Sequence, residues 1–233
     1  MESPGCRQGR SWMIGRAVAF LPCLLLAGWV TPAQSKVVTY GIGLKSCETY
    51  LAAKDQESRD QLAFIDWVSG YVSGVNALST RVNNLLGDSN LQGTIYWLDT
   101  FCRKHAKTSV AVALDLLAAS SRSTTGRSTV EVITYGVGFK SCSTYIEARQ
   151  QQGADESAFT EEAPFMDWFA GYVSGVDAFS LGTDNALRGS DLTGAILWLD
   201  NYCQAHPAMR FAAAVDVRLT TVPAVTAGVE KSR

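Results

Sequence analysis

The apolar residues of this chain recur every three or four positions in several segments, which is the interval of a helix with one buried face. The clearest segment is residues 62–79, where Phe64, Trp67, Tyr71 and Val75 would share a face. Polar residues between them would point to water. Shorter segments with the same interval precede and follow it. They predict further helices that begin at Cys47 and span about 90–104 and 108–119.

Local sequence features predict how the chain enters the first helix. Val37–Tyr40 is a short β-like run, and the glycines Gly41 and Gly43 that follow it predict a turn. Ser46 has the side chain of an N-cap, so the helix is expected to begin at Cys47.

The whole pattern occurs twice in the chain. The duplication predicts an all-α protein made of two similar four-helix domains in tandem. Six extra residues of the second copy fall in a polar segment between Ala148 and Phe165, which predicts an exposed loop. Pro164 fits the first turn of the helix that follows. The matching segments are VTYGIGLKSCETY (38–50) with ITYGVGFKSCSTY (133–145), FIDWVSGYVSGVNAL (64–78) with FMDWFAGYVSGVDAF (165–179), and WLDTFCRKH (97–105) with WLDNYCQAH (198–206).

Composition divides the chain into five parts. Residues 36–118 and 132–219 are the two helical repeat domains. Residues 119–131 are rich in Ser, Thr and Gly without apolar periodicity, and they predict a flexible linker. Residues 220–233 predict a loose tail. Residues 1–35 differ from all of these.

The first 35 residues have the three parts of a secretory signal peptide. Three arginines precede the apolar run Ala17–Val30, whose roughly 14 residues are fewer than the ~20 that a spanning helix needs. Small residues suited to cleavage follow, up to Ala33 and Ser35. The segment predicts secretion across the inner membrane to the periplasm, with no stable membrane span after its removal. An interfacial anchor helix is the alternative interpretation.

Four cysteines remain after the signal peptide, and an even number in an exported protein points to disulfides. Four cysteines can pair in three ways. Duplication favours the pairs Cys47–Cys102 and Cys142–Cys203, because the unit had to fold before it was copied. Such a bridge would contribute on the order of 4 kcal/mol. Cys102 and His105 could instead face one metal ion, but structural zinc takes four ligands from closely spaced pairs. No metal site and no cofactor are therefore predicted.

The second helix of each copy carries a stripe of small residues between aromatic ones. Glycine inside a helix costs about 1 kcal/mol relative to alanine, so two glycines at this spacing need a reason. Close approach of another helix is the favoured reason, and a groove for a ligand is the alternative. The candidate binding surface consists of Trp67, Gly70, Tyr71, Gly74, Trp168, Gly171, Tyr172 and Gly175.

Four aspartates occupy equivalent positions in the two copies. Asp66 and Asp167 are expected in the first turn of the second helix, where a negative charge complements the helix dipole. Asp99 and Asp200 are expected to accept a hydrogen bond from the backbone or a tyrosine. An enzyme that uses Asp66 and Asp99 as acid and base stays as an alternative. No nucleophile motif accompanies them, and no catalytic residue is predicted.

The two copies differ in net charge although they share the same apolar pattern. The chain as a whole has a net charge of −2 and no long basic run, so no nucleic-acid partner is expected. Residues 36–118 hold eight basic and eight acidic residues, whereas residues 132–219 hold five and eleven, a net charge of −6. Different partners, or one asymmetric partner, would produce such a difference, and drift that favours solubility is the alternative.

Three motifs in this order suggest a family: Y-G-x-G-x-x-S-C-x-x-Y-x-x-A, D-W-x-x-G-Y-x-S-G and W-L-D-x-[FY]-C-x-x-H. Together with a signal peptide, they resemble the exported α-helical immunity proteins that protect bacteria from type VI secretion amidase toxins. More distantly they resemble periplasmic acid-stress chaperones of the HdeA/HdeB type. The usual family members have a single domain, and this chain has two.

The resemblance implies two functions. The first is a periplasmic protein-binding module of the immunity or inhibitor type, which occludes the surface of a cell-wall hydrolase or another envelope protein and needs no catalytic residue. The second is an acid-stress chaperone, which exposes apolar surface when carboxylates are protonated.

Overall fold

A computed structural model describes residues 37–78, 90–121, 133–151, 161–180 and 185–221. The helices predicted from the apolar pattern are present in these ranges, and no β-strand occurs within them. The predicted signal peptide lies outside the described residues. So do the inserted residues of the second copy and most of the predicted linker and tail.

The first copy, called repeat 1, contains a short 3-10 turn and four α-helices. The Ser46 hydroxyl accepts the Thr49 N–H at 3.2 Å, as predicted for an N-cap. The second helix begins three residues earlier than predicted, and the fourth continues past the predicted end of the domain. The elements are the 3-10 turn Gly41–Leu44, α1 Cys47–Asp55, α2 Arg59–Leu78, α3 Leu91–Cys102 and α4 Val110–Ser121.

The second copy, called repeat 2, has the same elements in the same order. Pro164 lies in the first turn of its long helix, as predicted. The Asp191 carboxylate caps the following helix by accepting the Gly194 N–H at 2.7 Å. The elements are the 3-10 turn Gly136–Phe139, α5 Cys142–Gln150, α6 Ala163–Phe179, α7 Leu192–Ala205 and α8 Phe211–Thr221.

The β-like run Val37–Tyr40 does not form a strand, which corrects the prediction for this segment. Tyr40 is extended but has no strand beside it. Its backbone is satisfied by side chains instead: the Trp67 indole donates to its carbonyl at 2.8 Å, and its N–H donates to the Ser174 hydroxyl at 2.9 Å. Side-chain partners thus replace a sheet ladder.

Each repeat is closed by one disulfide, and the predicted pairing is confirmed. Cys47 bonds to Cys102, and Cys142 bonds to Cys203. All four cysteines are fully buried, each pair in the core of its own repeat. Each bridge therefore ties the first helix of a repeat to the third.

The two repeats pack against each other, and all described residues belong to one compact unit. The main contact is between α2 and α6, the equivalent long helices. Gly70 lies against Trp168 and, one turn later, Gly74 lies against Tyr172. The contact advances in the same direction along both helices, so α2 and α6 run parallel. Each four-helix repeat keeps its own apolar core on the outer side of this pair.

Candidate functional site

The glycine stripes bring the backbones of α2 and α6 into direct contact. A Cβ added to Gly70 would lie 2.0 Å from the Trp168 carbonyl oxygen, and one added to Gly171 would lie 2.0 Å from the Trp67 carbonyl oxygen. The second glycine of each stripe repeats this reciprocal contact one turn later. The two equivalent patches therefore contact each other reciprocally, as equivalent surfaces do across a two-fold axis. The favoured interpretation of the stripes, close approach of another helix, is confirmed.

The predicted binding surface is consequently internal, and its aromatic residues are not exposed. Trp67 and Trp168 have no accessible surface, and Tyr71 and Tyr172 have 1% and 2%. The Tyr71 hydroxyl donates to Asp115, and the Tyr172 hydroxyl donates to Asp216. Apolar periodicity identified these residues as one face but could not distinguish a face turned to a partner protein from one turned to the other repeat. The structure assigns all eight residues of that surface to the interior: Trp67, Gly70, Tyr71, Gly74, Trp168, Gly171, Tyr172 and Gly175.

Reciprocal hydrogen bonds between the repeats explain the serine of the shared G-Y-V-S-G motif. The Ser174 hydroxyl accepts the Tyr40 N–H at 2.9 Å, and the Ser73 hydroxyl accepts the Tyr135 N–H at 2.9 Å. Each serine also donates to the carbonyl one turn back in its own helix, at 2.7 Å. Both hydroxyls are therefore satisfied although they are buried.

The Y-G-x-G motif makes room for the buried tryptophan of the same repeat. A Cβ on Gly43 would lie 2.1 Å from the Trp67 ring, so only glycine fits there. Gly41 has a φ of +70°, a conformation that side chains disfavour. This motif is therefore a structural support for the repeat contact.

Asp66 and Asp167 extend the two glycine stripes toward the N-terminal ends of α2 and α6. Each lies one turn before the first glycine of its stripe, so the parallel contact brings both carboxylates to the same end of the interface. Neither lies in the first turn of its helix, which corrects the predicted dipole role; in α2 that turn holds Asp60. Burial, with the charge of Asp167, raises the pKa of Asp66 to about 7. Burial, with the charge of Asp60, raises the pKa of Asp167 to about 6.

The other predicted carboxylates, Asp99 and Asp200, have structural partners. The Tyr50 hydroxyl donates to Asp99 at 2.6 Å, and Lys54 forms an ion pair with the same carboxylate. Asp200 accepts the Tyr145 hydroxyl at 2.6 Å. The predicted hydrogen bond to a tyrosine is therefore confirmed in both repeats. Asp99 is therefore engaged within repeat 1, whereas the charge that contributes to the raised pKa of Asp66 is that of Asp167 in repeat 2.

The W-L-D-x-[FY]-C-x-x-H motif builds a stack of three rings on the outer side of each repeat. In repeat 1, Trp97 stacks on Phe101 at 5.0 Å between ring centroids, and Phe101 stacks on His105 at 4.3 Å. In repeat 2 the corresponding distances are 4.7 and 4.1 Å. The tryptophans and the central rings are partly exposed and the histidines are exposed. The rings of the second stack are Trp198, Tyr202 and His206.

An exposed apolar side chain lies beside each stack, at equivalent positions of α3 and α7. Tyr96 is 73% exposed and Leu197 is 57% exposed. Large side chains at this exposure contribute little to the fold. The four-residue spacing of the three rings is visible in the sequence and identifies the stacks: the first two rings lie on α3 or α7, and the histidine lies just past the end of the helix.

Charge distinguishes the two stacks. In repeat 1 the turn after α3 carries Arg103, Lys104 and Lys107, all exposed. In repeat 2 these residues are replaced by uncharged side chains, and the equivalent turn carries one exposed cation, Arg210, where repeat 1 has a serine. An exposed lysine lies beside the turn in both repeats, because the carbonyls of Lys45 and Lys140 accept the Val110 and Phe211 N–H groups at 3.0 and 2.8 Å. The uncharged replacements in repeat 2 are Gln204, Ala205 and Ala208.

Comparison with known proteins returns no match: no family model, no curated protein and no solved structure is similar to this chain. No helix among the described residues combines the length and apolar character that a membrane crossing requires.

Proposed function

We propose that the protein is an exported protein-binding module of the immunity or inhibitor type. The observation that carries the proposal is the pair of aromatic stacks at equivalent positions of the two repeats, which pack against the core on one side and are partly exposed. Aromatic and arginine side chains are enriched where protein partners bind, and rigid stacked rings lose little entropy on binding. Two buried disulfides are typical of proteins that fold outside the cytoplasm.

The contact surface of this proposal differs from the one predicted from the sequence. It consists of the outer faces of α3 and α7, whereas α2 and α6 serve as the scaffold that fixes the two stacks relative to each other. Repeat 1 offers rings beside a turn with three cations, and repeat 2 offers rings beside a turn with one. A single partner with a strongly acidic and a weakly acidic region, such as an envelope hydrolase, would engage both.

Site-specific photo-crosslinking from α3 and α7 tests the proposal. A photoreactive residue at Tyr96 or Leu197 is expected to trap the same envelope protein, because both side chains project beside a stack. Gln92 and Thr193, which are exposed at equivalent positions one turn earlier, serve as controls. Crosslinks that are equally frequent from the control positions, or a different protein from every preparation, would contradict the proposal.

Exchange of the basic turn gives the corresponding affinity prediction. Replacing Arg103, Lys104 and Lys107 by the repeat 2 residues (Gln, Ala and Ala) is expected to weaken binding to the trapped partner about tenfold or more, chiefly through slower association. The effect should shrink at high salt, because exposed charges are screened. Surface plasmon resonance at two salt concentrations measures both. Unchanged affinity at low salt would remove the basic turn from the contact.

A further inference from the structure

Arg218 of α8 is buried without partners for most of its guanidinium group. Its side chain lies on the core face of the helix and the residue is 3% exposed. Nη2 donates to the Ser190 hydroxyl, whereas the buried Nε and Nη1 have no hydrogen-bond partner. These two atoms carry three N–H groups between them. Buried donors in folded proteins are normally satisfied, so three unused ones call for an acceptor.

The charge around Arg218 is positive as well. None of the ion pairs among the described residues involves it. Burial and the charge of Arg188, another cation, lower the pKa of Arg218. Asp216, two residues before Arg218 on α8, accepts the Tyr172 hydroxyl. Asp191 is exposed and its carboxylate accepts the Gly194 N–H at the start of α7. Asp177 accepts the Ala186 N–H through Oδ1, and its buried Oδ2 has no hydrogen-bond partner.

The backbone beside Arg218 also favours an anion. Ser190 immediately precedes the N-cap of α7, a helix of 14 residues whose positive dipole end therefore lies near the guanidinium. Arg188 is placed by a turn in which it and Gly189 have positive φ angles of 51° and 85°. The turn brings two arginines to one place beside the start of α7, where the Ser190 hydroxyl donates to the Leu187 carbonyl at 3.0 Å and Asp191 caps the helix.

Repeat 1 lacks both cations at the equivalent positions. Leu117 corresponds to Arg218 and packs against the core of its repeat, as a leucine should on this helix face. Gly87 corresponds to Arg188 in the sequence. A buried arginine in place of leucine is costly unless something neutralises it. The two cations are therefore specific to repeat 2, and the fold that both repeats share does not require them.

We propose that Arg218, with Arg188 and Ser190, binds a small oxyanion in repeat 2. Phosphate, sulfate and carboxylate groups are the ligands of this chemistry, since their oxygens accept several N–H groups at once. The site lies on α8 and the turn before α7, so it is independent of the aromatic stacks and of the proposed function.

Thermal unfolding with defined anions tests the site. The wild-type chain is expected to gain about 3 °C or more in Tm with millimolar inorganic phosphate at constant ionic strength, compared with chloride. Sulfate should act in the same way, and acetate shows whether a carboxylate suffices. The variants Arg218→Leu and Arg188→Gly carry the residues of repeat 1 and should lose the gain. Arg103→Gln, which removes an exposed arginine of repeat 1, should keep it.

Two outcomes would overturn the assignment. One is a wild-type Tm that does not distinguish phosphate, sulfate or acetate from chloride, which would leave Arg218 with water alone. The other is an equal gain in wild type and in Arg218→Leu, which would place any bound anion elsewhere. Should Arg218→Leu fold poorly, Arg188→Gly gives the same comparison, because glycine suits the positive φ at that position.

Discussion

Replacing Gly70 by alanine is expected to destabilise the protein by about 3 kcal/mol and to lower its Tm by about 10 °C. The added methyl group would lie 2.0 Å from the Trp168 carbonyl oxygen. That atom belongs to the backbone of α6, so it cannot rotate away as a side chain can. The two helices would have to separate along the whole contact, which would also stretch the hydrogen bonds that join the repeats.

The predicted sign of the change in stability makes this test decisive. Helix propensity alone predicts that Gly→Ala stabilises a helix by about 1 kcal/mol. Gly194 supplies the control, because it lies exposed in α7 and an added methyl group would meet two side-chain atoms and no backbone, the Asp191 carboxylate oxygen at 3.3 Å and the Ser190 Cβ at 3.7 Å. Gly194→Ala is expected to be neutral or mildly stabilising. Urea unfolding of both variants measures the difference, and a stabilised Gly70→Ala would contradict the close helix contact.

The sequence predicts the parts of this fold that depend on local pattern. The helices follow from apolar spacing, the N-cap Ser46 from its side chain, and the disulfides from duplication. Gly70 and Gly74 also predicted a neighbouring helix. The periodicity of α2 describes only its own faces, however, so it could not show that the neighbour is the equivalent helix of the same chain. For that reason the sequence pattern predicts a binding surface that includes Trp67, although this residue is buried.

The position of the two carboxylates at the same end of the contact cannot be predicted from either segment alone. Asp66 and Asp167 interact because α2 and α6 are parallel and in matched register, and register is set by tertiary packing. A residue pattern cannot place an aspartate of one repeat beside an aspartate of the other. The ring stacks are different, since Trp97 and Phe101 are neighbours on α3 and His105 follows in the turn at the end of that helix. Their spacing can be recognised in the sequence, because the shared motif contains all three residues.

The repeat contact is expected to become more stable as the pH falls from 8 to 5. The pKa of Asp66 is raised to about 7 and that of Asp167 to about 6, both above the ordinary value of 3.8. In this pH range the folded protein takes up protons that the unfolded chain does not, so folding gains free energy. The gain is complete near the ordinary pKa, where the unfolded chain is protonated too. Because both side chains keep some contact with water, we expect about 2 kcal/mol.

Urea unfolding at pH 5, 6, 7 and 8 and constant ionic strength measures how the free energy of unfolding depends on pH. The double variant Asp66→Asn/Asp167→Asn should be more stable than wild type at pH 8 and should lose the part of the dependence that these two carboxylates contribute. Asp177, whose pKa burial also raises to about 6, keeps its own part. Asp191→Asn removes an exposed carboxylate from an N-cap that is asparagine in repeat 1, and it should keep the slope. A wild-type stability that is flat or falls toward pH 5 would contradict the prediction.

The sign of this dependence also separates the two functions that the sequence suggests. An acid-stress chaperone must loosen when its carboxylates are protonated, whereas protonation of Asp66 and Asp167 removes the cost of burying two charges at the central helix contact. The prediction therefore favours a binding module whose two ring stacks are held in a fixed relation, and held more firmly in mild acid. Dye binding near pH 5 checks this point: wild type should bind no more dye than at pH 7, and increased binding would favour the chaperone.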